Sequence, residues 1–111
     1  MPGFAVSDLE RSIAWYRDRL GFEVTFTNGD PPVFALLARD GIEISLTSAD
    51  PGRVGKGAIY LKLTGIDALY DRLVEAGVEM IHPLKDEPYQ MRECLFSDPD
   101  GNAINLGQPI G

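Results

Sequence analysis

Ser97-Asp98-Pro99-Asp100-Gly101-Asn102 is the stretch around which this chain is organised. Its four central residues fit a type I turn, since Asp suits the first position, Pro the second and Gly the left-handed slot that closes a hairpin. The residues before the turn, from 92 to 97, and those after it, from 102 to 106, are predicted to be its two strands. The stretch therefore predicts a β-hairpin.

The same hairpin occurs a second time, earlier in the chain. Asp40-Gly41 matches Asp100-Gly101 at a distance of 60 positions, and this alignment places Ser45 over Asn105. The segments in front of the two hairpins also match, at distances of 57 and 56 positions. Such internal similarity is typical of a duplicated unit. Each half is predicted to contain a strand, a helix and three further strands.

The duplication predicts two modules within one domain, because 111 residues is a usual length for a single domain. Module 1 is predicted to span about 1–48, the linker 48–57 and module 2 about 58–111. Each helix has one apolar stripe, so it covers one side of its four-stranded sheet. The second side of each sheet must then face solvent or a cavity.

The first helix is predicted to begin at Ser7. Ser7 and Glu10 have the spacing of a capping box, in which each side chain bonds the backbone of the other. The apolar stripe that follows consists of Leu9, Ile13, Tyr16 and Leu20.

His82 is the only histidine in the chain. It aligns with Phe26, which we assign to the buried side of its strand, and Pro83 is predicted to end the strand that contains His82. We interpret His82 as structural rather than catalytic. Residues 84–92 are predicted to form a long polar loop that acts as a lid or a binding rim.

The composition is that of a globular protein with an acidic surface. Apolar residues make up 44% of the chain, and 17 acidic against 10 basic residues give a net charge of −7. This charge disfavours nucleic acids and anionic membrane surfaces, both of which attract basic patches. The single Cys94 cannot form an internal disulfide, and no apolar run approaches the ~20 residues of a membrane-spanning helix. The chain is predicted to be cytoplasmic.

Three runs of the sequence together resemble the vicinal oxygen chelate superfamily. They are VSDLERSIAWYRDRLGFEV at 6–24, GIDALYDRL at 65–73 and EPYQMRECLFSDPDGNAINL at 87–106. Glyoxalase I, extradiol dioxygenases, thiol transferases acting on fosfomycin and bleomycin-resistance proteins belong to this superfamily. The resemblance implies an α+β fold of two tandem βαβββ modules, whose sheets form a cup with the helices outside.

Metal-dependent members of the superfamily place His or Glu ligands at equivalent points on the first and last strands of the two modules. The corresponding positions here are Met1, Ser45, Ala58 and Asn105. None of the four carries the nitrogen or carboxylate ligand that a catalytic divalent metal requires. We therefore predict a protein without a metal or other cofactor.

The nearest resemblance is to the metal-free bleomycin-resistance type, through residues 18–22, residues 65–70 and the Glu-Pro-aromatic segment before Arg92. This resemblance implies an acidic homodimer that binds a cationic antibiotic in grooves between its subunits. We predict a small-molecule-binding protein that binds or sequesters a cationic aromatic, antibiotic-like compound. A metal-dependent lyase or dioxygenase-type enzyme, and a non-catalytic or regulatory subunit, remain as alternatives.

The ligand-binding residues are predicted from the strand faces that the helices leave uncovered. Glu43 and Tyr60 are expected to face one cavity, where tyrosine rings would stack on a planar or cationic ligand and carboxylates would supply charge. The cup face is predicted to carry Glu43, Ser45, Tyr60, Lys62, Ala103 and Asn105, with Tyr89, Arg92 and Glu93 near its rim.

Overall fold

Two βαβββ units follow one another in the computed structural model of the protein, which describes residues 2–111. The helices are α1 (Leu9–Leu20) and α2 (Ile66–Glu75), a short 3₁₀ turn spans Pro51–Arg53, and the strands are β1 (Gly3–Ala5), β2 (Glu23–Gly29), β3 (Pro32–Arg39), β4 (Ile42–Thr47), β5 (Ala58–Lys62), β6 (Met80–Glu87), β7 (Met91–Ser97) and β8 (Ala103–Pro109). Within residues 2–111, neither helix is long and apolar enough to cross a lipid bilayer.

Each unit forms its own four-stranded mixed sheet. The strand orders are β1-β4-β3-β2 and β5-β8-β7-β6. The first strand of each unit pairs in parallel with the last, and the other pairs are antiparallel. Helix α1 packs against β3 and β4, whereas α2 packs against β6 and β8. The α+β fold of two tandem βαβββ modules is therefore confirmed.

Side chains of each sheet alternate between the side that packs on the helices, here the helix face, and the opposite side, here the open face. The helix faces contribute to one hydrophobic core that takes residues from both units, including Leu37 and Leu46 from the first and Phe96 and Ile104 from the second. The open face of the first sheet carries Phe26, Phe34, Leu36, Glu43, Ser45 and Thr47, and that of the second carries Tyr60, His82, Glu93, Leu95, Ala103 and Asn105.

The turn after β7 joins the second unit to the first. Asp98 is buried, and its carboxylate accepts hydrogen bonds from the Tyr16 hydroxyl at 2.8 Å and from the backbone N–H groups of Asp100 and Asn102. Asn102 donates from its side-chain amide to the Ala5 carbonyl over 3.0 Å. Burial, reinforced by the adjacent carboxylate, raises the pKa of Tyr16. The predicted hairpin turn therefore also connects the second unit to the first.

Helix α1 begins one residue later than predicted. Asp8, not Ser7, is the N-cap, and its carboxylate accepts a hydrogen bond from the Arg11 N–H. Ser7 instead donates its hydroxyl to the Asp100 carboxylate over 2.6 Å, and Arg11 pairs with the same carboxylate at 3.0 Å. The capping prediction is wrong because the second unit takes the Ser7 hydroxyl, a contact that local spacing does not reveal.

A β-bulge at the same point of each unit changes which side chains reach the open face. In β2 the pairing shifts between Val24 and Phe26, so Val24 keeps the helix side while Phe26 lies beside Leu36 on the open face. Strand β6 shifts in the same way between Met80 and His82. The prediction that Phe26 is buried is therefore wrong, since 51% of its surface is exposed.

Strand β6 continues through Pro83 to Glu87, although the sequence predicts a strand end at this proline. Because β6 is the edge strand of its sheet, it can accommodate a residue without an N–H group. Only residues 88–90 connect β6 to β7. The predicted loop at 84–92 is thus mostly a hairpin, with Tyr89 at its tip.

Candidate functional site

Two tyrosines and a glutamate meet on the open face of the second sheet. The Tyr60 hydroxyl donates to Oε2 of Glu93 over 2.6 Å, and the Tyr89 hydroxyl donates to Oε1 of the same carboxylate. The tyrosines remain 45% and 61% exposed, so their rings lie outside the hydrophobic core. The cluster presents aromatic surface and a carboxylate side by side to solvent.

A glycine makes this cluster possible. Tyr60 lies on β5 and Glu93 on β7, with β8 between them in the sheet. The Tyr60 side chain crosses β8 over Gly107, where a Cβ atom would collide with the tyrosine hydroxyl. Tyr89 reaches the same carboxylate from the β6–β7 turn, in which Gln90 adopts a left-handed conformation with a φ of 66°. Three separate segments of the second unit therefore position the cluster.

Both hydroxyl groups are protonated donors at neutral pH. Burial and the hydrogen bond to Glu93 raise the pKa of Tyr60, and the hydrogen bond to Glu93 raises the pKa of Tyr89 to about 12. General acid–base catalysis is most efficient when the pKa of the group lies near the working pH, a condition that neither phenol meets. The cluster is suited to stacking and hydrogen bonding rather than to proton transfer.

Asn105 adds a hydrogen-bond acceptor beside this cluster. It pairs across the sheet with Tyr60 on one side and with Leu95 on the other. Its side-chain oxygen is buried and has no hydrogen-bond partner among residues 2–111. A buried polar atom without a partner is costly, so a donor on a bound molecule would satisfy it.

The open face of the first sheet has a different character. Phe26 and Phe34 pack edge to face with ring centroids 6.4 Å apart, and Glu43 is exposed on β4. Ser45 borders a pocket of about 220 Å³ that also contacts Arg53 and Lys56 of the linker. This face therefore combines a partly exposed aromatic pair with a carboxylate, and basic linker residues lie at its border.

The structure brings together only part of the predicted ligand-binding set. Tyr60, Tyr89, Glu93 and Asn105 share the open face of the second sheet, as does Ala103. Glu43 and Ser45 lie on the first sheet instead.

The two cationic residues of the predicted set lie on opposite faces of the second sheet. Arg92 is on the helix face, where its guanidinium donates to Asp67 of α2 at 2.8 Å and to Asp86 of β6 at 2.9 Å. These carboxylates raise the pKa of Arg92. Lys62 ends β5 on the open face, where it pairs with Gly107, and it also borders a cleft between the two units. Arg92 is therefore placed away from the tyrosine cluster.

Three of the four metal-ligand positions fall within the described residues, and Met1 lies outside them. Ser45 and Asn105 are on the last strands of the two units, and Ala58 begins β5. These side chains do not supply the imidazole and carboxylate groups that a catalytic divalent ion requires. Across residues 2–111, no three His, Cys, Asp or Glu side chains are grouped as metal ligands. The residues present therefore do not fit a metal centre at these positions.

Three open-face residues were missed by sequence reasoning. Phe26, Phe34 and His82 all project from the uncovered side of a sheet. The signal that would have revealed Phe26 and His82 is the repeated bulge, which reverses the expected alternation in both units. His82 is exposed on the open face rather than packed in the core.

Comparison with known proteins agrees with this architecture. The family model of the Glyoxalase/Bleomycin resistance protein/Dioxygenase superfamily matches residues 2–106. A bleomycin resistance protein of Geobacillus stearothermophilus is 28% identical over an alignment of 131 residues, which covers 99% of this chain and 96% of that protein. The resemblance inferred from the three sequence runs is therefore confirmed.

Solved structures give the same result. The crystal structure of TnmS3, an antibiotic binding protein from Streptomyces sp. CB03234, is 31% identical with a TM-score of 0.81, covering 96% of this chain and 91% of that one. A superfamily member from Sphaerobacter thermophilus DSM 20745 is 31% identical with a TM-score of 0.80, covering 97% and 95%. The chain belongs to the glyoxalase/bleomycin resistance protein/dioxygenase superfamily.

Proposed function

We propose that this protein is a metal-free, cytoplasmic homodimer that binds and sequesters a cationic aromatic, antibiotic-like compound without changing it chemically. Superfamily membership supports small-molecule binding in general. The relatives described as a bleomycin resistance protein and as an antibiotic binding protein support the narrower class of ligand.

The observation that carries the proposal is the cluster of Tyr60, Tyr89 and Glu93. Exposed aromatic rings beside a carboxylate attract a cation through both the ring quadrupole and the negative charge. The unpartnered oxygen of Asn105 adds an acceptor that an amine or amide donor would satisfy. Acceptors and ring faces together favour a ligand that is positively charged and planar.

The net charge of the chain also favours a positively charged ligand. At −7, the protein creates a field that raises the local concentration of cations, and this effect weakens as salt screens it. Anionic aromatic compounds of the same size are disfavoured by the same field.

Homodimer formation is proposed because edge strands expose apolar side chains. Val24 and Phe26 on β2 are 42% and 51% exposed, and Ile81 on β6 is 54% exposed. Unpaired strand edges with apolar side chains are usually covered by a partner. A two-fold partner would also set the first open face of one protomer against the second open face of the other. Glu43 would then contribute to a groove between subunits.

The proposal excludes catalysis by the groups on this face. The raised pKa values of Tyr60 and Tyr89 make them poor proton acceptors at neutral pH. Ser45, Ala58 and Asn105 are unsuited to hold a catalytic metal. Elemental analysis of the purified protein should therefore find no stoichiometric zinc, nickel, manganese or iron, and one tightly bound equivalent would contradict this part of the proposal.

The test is an NMR titration with benzyltrimethylammonium, an aromatic cation, and benzenesulfonate, an aromatic anion, followed by mass spectrometry of the recovered compounds. The cation should shift the amide signals around Tyr60, Tyr89 and Glu93 and be recovered unchanged. The anion should bind this face at least about tenfold more weakly. Tighter binding of the anion at this face, or conversion of the cation to a product, would refute the proposal.

A further inference from the structure

The two units meet at two junctions that the internal repeat relates to each other. At the first, the turn at 98–102 packs on the segment from β1 to α1, where Asn102 bonds the Ala5 carbonyl and Ser7 bonds Asp100. At the second, the turn at Asp40-Gly41 lies across from residues 62–64, which lead from β5 to α2. Because the two junctions are equivalent, the residues that fill one can be compared directly with those that fill the other.

The turns at the two junctions differ in length. Residues 98–102 separate β7 from β8, whereas only Asp40 and Gly41 separate β3 from β4. The longer turn fills its junction with the buried side chains of Asp98 and Asn102. The shorter turn leaves a cleft of about 430 Å³ at the second junction. This volume is within the range of pockets that bind small molecules.

The floor of the cleft is apolar. It is formed by side chains of the hydrophobic core, namely Leu20, Phe22, Leu61, Leu69 and Leu106. An apolar floor open to solvent favours a ligand with a hydrophobic body. Tyr60, Tyr89 and Glu93 do not line this cleft, so it is distinct from the tyrosine cluster, although Lys62 lies at the end of the same open face.

The rim of the cleft is positively charged. Arg39 and Lys62 both border it, against the single carboxylate of Asp40. The Asp40 side chain is 84% exposed and pairs with Nε of Arg39 on the solvent side at 3.4 Å. Lys62 belongs to none of the ion pairs found within residues 2–111. The rim therefore has one uncompensated positive charge.

Arg39 has hydrogen-bonding capacity to spare. Its Nη1 donates to the carbonyl of Leu20 at the end of α1, and its Nε donates to Asp40. A guanidinium has five N–H donors, so three remain for another acceptor. Only 29% of the Arg39 side chain is exposed, and this packing fixes the guanidinium beside the apolar floor. A carboxylate is the acceptor that matches its planar geometry best.

We propose that this cleft binds a small anionic amphiphile, a compound with a short apolar body and one carboxylate. The body lies on the leucine and phenylalanine floor, and Arg39 and Lys62 hold the carboxylate at the rim. The site is independent of the cation-binding function proposed above, because it uses different residues and the opposite charge.

The test uses octanoate and octyltrimethylammonium as probes in two-dimensional amide NMR titrations up to about 10 mM. Octanoate should shift signals at residues 39–42 and 62–64, and should bind at least about tenfold more tightly than the cationic amphiphile. Lys62→Met and Arg39→Met should each weaken octanoate about tenfold. The matched variant Arg17→Met, on the exposed end of α1, should leave octanoate binding unchanged.

Arg39→Met also removes the contact with Leu20 and so weakens the fold, but Lys62→Met removes no such contact and keeps the test decisive. Equal binding of the two amphiphiles would overturn the proposal, as would octanoate shifts confined to the open faces. If dimer formation protects the amides of residues 62–64 from exchange and octanoate causes no shifts, then a second copy of the chain covers the cleft. That outcome would also overturn the proposal. Binding at the proposed cation site is measured separately, from the amide signals around Tyr60 and Glu93.

Discussion

The Tyr16 hydroxyl donates a hydrogen bond to Oδ2 of Asp98 over 2.8 Å, and this contact ties helix α1 of the first unit to the hairpin turn of the second. Tyr16 has no exposed surface and Asp98 only 4%. A carboxylate buried to this degree requires partners, and the turn supplies the others from its own backbone and from the Asn102 side-chain amide. The sequence stretch that forms the hairpin therefore also holds the two repeats together.

Tyr16→Phe should destabilise the protein, since it leaves the buried Asp98 carboxylate with one partner fewer. The expected loss in the free energy of unfolding is about 1–3 kcal/mol. Urea denaturation measures it. Tyr70→Phe on α2 is the control, because Tyr70 as a residue is only partly buried, and this variant should change stability by less than about 0.5 kcal/mol. Equal effects of the two substitutions would contradict a stabilising role for the hydrogen bond between Tyr16 and Asp98.

Stability should also decline at alkaline pH. Burial raises the pKa of Tyr16 above its ordinary value of ~10, so the folded state keeps a proton that the unfolded state releases. The stabilisation is complete below pH ~10 and is lost as the pH rises further. Denaturation curves of wild type and Tyr16→Phe should converge above this pH. A wild-type stability that stays constant through this range would be inconsistent with a protonated, buried Tyr16.

Gly107→Ala should disrupt the tyrosine cluster without unfolding the protein. The added methyl group would collide with the Tyr60 hydroxyl, and that exposed side chain is free to swing away from Glu93. Benzyltrimethylammonium should bind about tenfold more weakly, while stability changes by less than about 1 kcal/mol. Gly52→Ala, which meets no atom within 4 Å, is the matched control. Unchanged cation binding in Gly107→Ala would remove Tyr60 from the site.

The protein should be a dimer at ~100 μM, because the exposed apolar residues on β2 and β6 require a partner. Phe26→Lys should shift the mass in light scattering toward the monomer. Val74→Lys is the matched control, since Val74 is 49% exposed on α2, away from the strand edges. A monomeric mass of the wild type at this concentration would refute the dimer.

The features that the sequence predicts correctly are those with local or repeated signals. Turn chemistry at 98–102 depends on neighbouring residues alone, and the internal repeat shows the same pattern twice, so together they specify the hairpins and the two βαβββ units. The face on which Phe26 lies depends on a bulge in β2, which alternation of apolar residues cannot show. Contacts between the units are likewise hidden, as in the bond between Ser7 and Asp100.

In the candidate site, too, features with a local sequence signal are predicted and features that depend on distant contacts are not. Strand alternation groups Tyr60 and Asn105 on one surface, and Glu93, which we expect near the rim, lies on that surface in the structure. Arg92, also expected near the rim, lies on the helix face instead, because its partners Asp67 of α2 and Asp86 of β6 cannot be located from sequence spacing. The space that Gly107 leaves for the Tyr60 side chain is also visible only in the structure.

The most direct test of the account is the affinity of benzyltrimethylammonium for wild type and Glu93→Gln, measured by titration at fixed salt. Glu93→Gln keeps the size of the side chain but removes the charge between the two tyrosines. We expect Glu93→Gln to bind the cation about ten- to a hundredfold more weakly than wild type, and Glu75→Gln on α2 to bind it as wild type does. Equal affinity of Glu93→Gln and wild type would contradict a cation site at this cluster.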